Sequence, residues 1–153
     1  MKVDKKAAIS WSAGKDACLA WLRATEQGLA VPTFVTMCEA DGLSKAHALA
    51  PELIAAQVQA IGAEWRSVRV APGTYAQAFD AALRRLRDDG HTHMVFGDID
   101  LAAHRDWLVP ACARALQALF GAAPGPLDSV FDGLADFIDR HFEPGVLARL
   151  ARA

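Results

Sequence analysis

The residues that first suggest chemistry are Ser12-Ala13-Gly14-Lys15-Asp16-Ala17. They follow a short apolar run, Ala7-Ala8-Ile9, and precede a stretch with Cys18, Leu19 and Leu22 at helical spacing. Small residues in a strand-to-helix turn let backbone amides approach an anion, and the helix start adds partial positive charge. Ser12 can donate a hydroxyl, and Lys15 adds a full positive charge. Such a turn suits a phosphate chain. It is not a Walker A loop, because Asp16 follows Lys15 where Ser or Thr is required and Ile9 stands where the first glycine belongs. It is not a dinucleotide fingerprint either.

A second group follows the apolar run His93-Met94-Val95-Phe96, namely Gly97, Asp98, Asp100, His104 and Arg105. A helical first turn at the carboxyl end of a strand points side chains into the cleft, so His104 and Arg105 are candidate ligand contacts. Asp98 and Asp100 each read as a metal ligand, and Asp100 equally as a helix N-cap. His91 and His93 have no third ligand nearby in sequence and read as surface histidines. Cys18, Cys38 and Cys112 are odd in number, widely spaced and without a Cys-x-x-Cys pair. They read as small core residues in a reducing compartment, the cytoplasm. The Trp11 ring, beside the loop, either stacks on a ligand or, the weightier reading, packs under the first helix. Lys45 and His47 fall in a polar loop, either simply solvated or moving over the site.

These residues need a frame. Strands are expected near 6–11, 33–38, 65–70 and 93–97, where apolar and β-branched residues cluster between turn signals. Helices are expected after Gly14, over Pro51 to Ile61 with Gly62 as the stop, and from Thr74 to Gly90 with a Thr74/Gln77 capping box. A fourth helix carries Leu101, His104, Leu108, Cys112 and Leu119, bent or broken by Pro110. Strands and helices alternating in this way demand a mostly parallel twisted sheet covered on both faces, a three-layer α/β/α sandwich. After a Gly/Pro/Ala linker at 121–126, Leu127, Phe131, Leu134 and Ile138 mark an amphipathic tail helix expected to pack on the domain or on a second copy. Residues 1–120 are thus read as the α/β domain and 121–153 as linker and tail.

The composition sets bounds on partners. With 153 residues, 53% of them apolar and 22% charged, one compact domain is the default. A net charge of −2 offers no electrostatic footprint for nucleic acid. Ala7-Ala8-Ile9 is far too short to span a bilayer.

The loop resembles the Ser-Gly-Gly-Lys-Asp-Ser loop of the PP-loop N-type ATP pyrophosphatases, of the adenine nucleotide alpha hydrolase-like (HUP) class, and within them the branch related to diphthine-ammonia ligase. The likeness extends to Pro51-Glu52-Leu53-Ile54-Ala55-Ala56-Gln57, to Tyr75 with Phe79, to Phe96-Gly97-Asp98-Ile99 and to His104-Arg105-Asp106-Trp107. It implies ATP, or AMP, bound across the strand ends, with cleavage between the α and β phosphates and transfer of the adenylate toward an amide-forming acceptor that the sequence does not name. On that template Trp11 and Ser12 lie at the strand end and Gly14, Lys15, Asp16 and Ala17 cradle phosphate. Thr36, Met37 and Cys38 lie beside the adenine, and Gly97 and Asp98 flank ribose or phosphates. Lys15 would stabilise the pyrophosphate, while Asp16 and Asp98 would hold Mg²⁺.

The chain departs from the pattern at three places. Ala13 replaces a glycine, and its Cβ disfavours the positive φ and close approach of that position. Ala17 replaces the closing serine and removes a hydroxyl. No further strand is read after Leu119, which leaves a sheet edge open to the tail or to a homodimer. An alternative therefore stands beside the enzyme: a weakened nucleotide-binding or sensing module.

Overall fold

The computed structural model describes residues 5–97, 102–113 and 115–120. Strands and helices alternate throughout: β1 (Lys6–Ser10), α1 (Lys15–Glu26), β2 (Ala30–Cys38), α2 (Pro51–Ile61), β3 (Glu64–Arg69), α3 (Tyr75–Asp88), β4 (His93–Phe96), α4 (Ala102–Ala113) and β5 (Gln117–Phe120). The strands form one parallel sheet in the order β3-β2-β1-β4-β5.

The period-two alternation of the strands divides the core in two. Ala7, Ile9, Phe34 and Val95 meet Ala17, Ala20 and Ala24 of α1 and Ile54 and Val58 of α2 on one face. Ala8, Val35, Met37, Met94 and Phe96 meet Phe79, Leu83 and Leu86 of α3 and Leu108 and Cys112 of α4 on the other. The three-layer sandwich is therefore as expected. Each fully buried large side chain contributes about 1.5–3 kcal/mol. The alanines of α1 keep its axis close to the sheet, which fixes the height of the loop that precedes it.

Several expectations need correction. The sheet has a fifth strand, β5, pairing with β4 from His93↔Gln117 to Phe96↔Phe120. Leu119 lies in this strand and not in the fourth helix, which stops at Ala113. A short apolar run reads alike as helix or strand, and pairing against β4 decides it. The edge of β4 is thus covered from within the chain. α4 continues through Pro110, so the proline does not break it. β2 begins at Ala30, earlier than read, and includes Pro32. That proline is tolerated because the register shifts between Lys6 and Ala8 just there. Thr74 makes no capping box: its hydroxyl donates to the Ala71 carbonyl at 2.7 Å.

His91 and His93 are not surface residues; they are 2% and 7% exposed. His91 Nδ1 lies 3.0 Å from the Leu86 carbonyl and Nε2 lies 3.0 Å from the Thr33 hydroxyl. One neutral tautomer satisfies both, with Nδ1–H donating and Nε2 accepting from the hydroxyl. Burial pushes the His91 pKa below its ordinary value. The linker and tail helix expected over 121–153 lie outside the described residues. Among the described residues no helix is long and apolar enough to cross a membrane.

Candidate functional site

The strand order changes direction at β1 and β4, and in an open parallel sheet the cleft outside the carboxyl ends of such a pair receives the ligand. The turn Trp11-Ser12-Ala13-Gly14 leaves β1 there. Ala13 sits at φ 64°, in the left-handed region. The Gly14 amide donates to Ser12 Oγ at 3.2 Å, and the Cys18 amide donates to the Gly14 carbonyl at 3.1 Å, closing the first turn of α1. No side chain caps that helix, so its leading amides have no side-chain partner at the cap. The positive φ that a Cβ disfavours is present at Ala13 all the same. This residue adopts the glycine-like conformation itself, at a cost of about 1–2 kcal/mol. The Lys15 ammonium lies 3.3 Å from both Asp16 carboxylate oxygens, and both side chains reach solvent.

Gly97 holds the loop from below. A methyl group on its Cα would fall 2.7 Å from the Ala17 nitrogen and the Asp16 carbonyl carbon. Its role is a close approach of β4 to the first turn of α1 that only glycine allows. Trp11 belongs to the core and offers no stacking surface. It is 1% exposed, its ring centroid is 4.7 Å from that of Phe34, and its Nε1 donates to Gln57 Oε1 at 2.8 Å. The Thr36 hydroxyl donates to the Trp11 carbonyl at 2.7 Å and accepts from Trp65 Nε1 at 2.9 Å. These bonds tie β2, β3 and α2 to the residue that follows β1. Gln57 went unassigned in the sequence; its place in the Pro51–Gln57 block was the available signal.

The side chains of Thr36, Met37 and Cys38 all turn inward. Their backbone carbonyls are partly taken as well: Met37 accepts from Lys45 and Cys38 from Val70. Burial pushes the Cys18 and Cys112 thiols up to about 11, and raises Cys38 too, with Arg69 opposing. None of the three is an activated thiol. Ala17 is likewise buried. Asp98 and Asp100 lie outside the described residues, and for His104 and Arg105 the backbone alone is described, on α4.

Three of the sequence blocks converge on one aromatic cluster. The Trp107 ring lies 5.9 Å from Tyr75 and 5.3 Å from Phe79, which in turn lies 6.4 Å from Phe96. These contacts lock α3, α4 and the end of β4 together. His47, expected in a loop that is either simply solvated or moving over the site, lies against the phosphate-type turn: a methyl on Gly14 would fall 2.9 Å from His47 Nε2. Elsewhere a groove of about 500 Å³ opens between β3 and α3, lined by Val35, Val68, Arg66, Arg69 and Arg85 among others. It shares no lining residue with the loop.

The turn, Gly97 and the aromatic cluster all fall within residues 5–116, which match the family described as diphthamide synthase N-terminal domain. This chain belongs to that family. Its fold is that of the PP-loop ATP pyrophosphatases. Among solved structures, the U34-tRNA thiolase NcsA from Methanococcus maripaludis with its 4Fe–4S cluster is similar in fold, with a TM-score of 0.55 and 13% identity. That likeness covers 94% of this diphthamide synthase N-terminal domain chain and 60% of the thiolase.

A short stretch is similar to other proteins. The cobyric acid synthase of Polaromonas naphthalenivorans (strain CJ2) is 73% identical over 37 residues, 24% of this chain and 8% of that protein. That of Methylibium petroleiphilum is 77% identical over 37 residues, 24% of this chain and 7% of the synthase. The chain thus spans less than a tenth of the length of these relatives. Beyond the family match, which ends at residue 116, the sequence runs on to residue 153.

Proposed function

We propose that the turn Ser12–Ala17 seats the polyphosphate of ATP and that the domain releases pyrophosphate from it, passing the adenylate to an acceptor. The observation that carries this reading is the loop itself: a left-handed residue at 13 followed by an uncapped helix start and a lysine. Backbone amides and a helix N-terminus converge there with Lys15, a combination that favours a multiply charged anion over a neutral ligand.

Lys15 would exchange its Asp16 partner for the β and γ phosphates. Among the described residues no cluster of three or more His, Cys, Asp or Glu is arranged to hold a metal. That is compatible with Mg²⁺, which takes one or two carboxylates and fills its shell with phosphate and water. Asp16, whose side chain is 32% exposed, is the described candidate, with Asp98 as its proposed companion. When bound, Mg²⁺ would neutralise phosphate charge. His104 and Arg105 are proposed to face the same cleft from α4. The acceptor's chemistry is left open by these residues, and the short likeness to cobyric acid synthases spans too little of those proteins to carry their activity.

A second reading, binding without turnover, is favoured by Ala17, which has no hydroxyl to give a phosphate oxygen. One experiment separates the two. The chain is incubated with ATP and Mg²⁺, the products are analysed, and affinities for ATP and AMP are measured by calorimetry with wild type and Lys15→Ala. Release of AMP and pyrophosphate supports the enzyme; saturable binding without release supports the module. In either case Lys15→Ala should weaken ATP by roughly 10-fold or more, the scale of one charged contact, and AMP much less. Equal losses for both nucleotides, or no ATP binding by wild type, would refute the phosphate seat.

A further inference from the structure

The connection between β2 and α2, residues 39–50, folds back over the end of the sheet and is fastened there. The Lys45 amide donates to Met37 O at 3.0 Å, and the Glu39 amide to Leu43 O at 2.8 Å. Ser44 is 2% exposed and bridges Cys38. Its own amide donates to Leu49 O at 3.0 Å, its carbonyl accepts from Ala48 at 2.9 Å, and its hydroxyl accepts from Leu49 at 3.0 Å. A buried serine bonded this fully is an anchor. What it anchors is the exposed turn Lys45-Ala46-His47.

Ala48, next to His47, has φ 51°. Among the described residues Ala13 and Ala48 are the two non-glycine residues at positive φ. They come from distant parts of the chain, yet they flank one contact, since Ala13 precedes Gly14 and Ala48 follows His47. A methyl on Gly14 would sit 2.9 Å from His47 Nε2 and 3.3 Å from Ser12 Oγ. The absence of a side chain at 14 is thus what lets the imidazole reach the turn. Strained backbone persists where the surroundings over-determine it, and such places cluster at ligand clamps. Here the two strained residues flank a polar ring that lies against Gly14 of a phosphate-type turn.

We propose that His47 is a polyphosphate-binding residue, its Nε2–H donating to an oxygen of a β or γ phosphate seated at Gly14 and Lys15. The proposal rests on the nucleotide reading above. Lys15 comes from α1 and His47 from the β2–α2 connection, so the anion would be held from two elements. His47 is exposed, and the Ser44 bonds fasten the loop that carries it.

The test measures affinities of the full chain for ATP, AMP and inorganic pyrophosphate, comparing wild type with His47→Ala and His47→Gln. His47→Ala should lose about 10- to 100-fold in affinity for ATP and pyrophosphate, the scale of one hydrogen bond to a charged group, and less than about 3-fold for AMP. His47→Gln keeps an N–H donor and should recover part of that loss. A structural role alone would lower all three ligands together and would gain nothing from glutamine. Wild-type binding of ATP with unchanged affinity in His47→Ala, or equal losses for ATP and AMP, overturns the role of His47 and leaves the nucleotide reading standing. No binding of ATP by wild type overturns both.

Discussion

Replacing Gly97 by alanine tests whether the close approach of β4 to α1 builds the site. Gly97 is not one of the glycines at positive φ, so alanine brings no conformational penalty of that kind. The cost is contact. The added methyl would lie 2.7 Å from the Ala17 nitrogen and the Asp16 carbonyl carbon and 2.8 Å from the Asp16 oxygen, all backbone atoms. Comfortable separation is about 3.5 Å, so strand end and helix start must part by roughly 0.8 Å. Overpacking of this kind costs about 1–3 kcal/mol. For a chain of this size that is a fall in Tm of about 3–10 °C. The displaced atoms carry the amides proposed to face phosphate, and loss of one such bond lowers ATP affinity roughly 10- to 100-fold. Differential scanning calorimetry and ATP titration of Gly97→Ala read both quantities. A Tm within about 1 °C of wild type and an unchanged affinity would show that the 2.7 Å approach neither limits the packing nor shapes the loop.

Two further outcomes follow from the same geometry. Ala13→Gly relieves about 1–2 kcal/mol of left-handed strain but restores about 0.4–1 kcal/mol of unfolded-chain entropy, so chemical denaturation should show a gain between zero and about 1.6 kcal/mol. A change beyond about 2 kcal/mol in either direction would contradict the left-handed turn at 13. Burial lowers the His91 pKa from its ordinary 6.5, so the unfolded chain binds the extra proton first. Stability contributed by neutral His91 is therefore complete above about pH 6.5 and is lost as the pH falls toward the lowered native value. Urea midpoints between pH 8 and pH 5 should decline more steeply for wild type than for His91→Leu; parallel profiles would sink this assignment.

The alternation of apolar runs, caps and glycines is local, and it made the parallel three-layer sheet and the loop at 12–17 legible before any coordinates. The glycine-to-alanine change at 13 was visible too, but its consequence was not. Whether Ala13 breaks the turn or tolerates it depends on the surrounding packing, which Gly97 and the Gln57 partner of Trp11 supply from elsewhere in the chain. β5 was missed because a four-residue run, Gln117-Ala118-Leu119-Phe120, carries no period of its own and needs β4 beside it to be a strand. His91 looked like a surface residue because the sequence does not show that Thr33 and the Leu86 carbonyl come to meet it. The loop carrying Lys45 and His47 could be read as lying over the site, but the contact of His47 with Gly14 could not, since 33 positions of chain separate the two. Periodicity and propensity act between neighbours in sequence, so the sequence by itself determined the first four strands, the helices between them and the turn at 12–17. Contacts between β1, the β2–α2 connection and the end of β4 are non-local, and the tertiary structure alone decided which of the candidate residues meet.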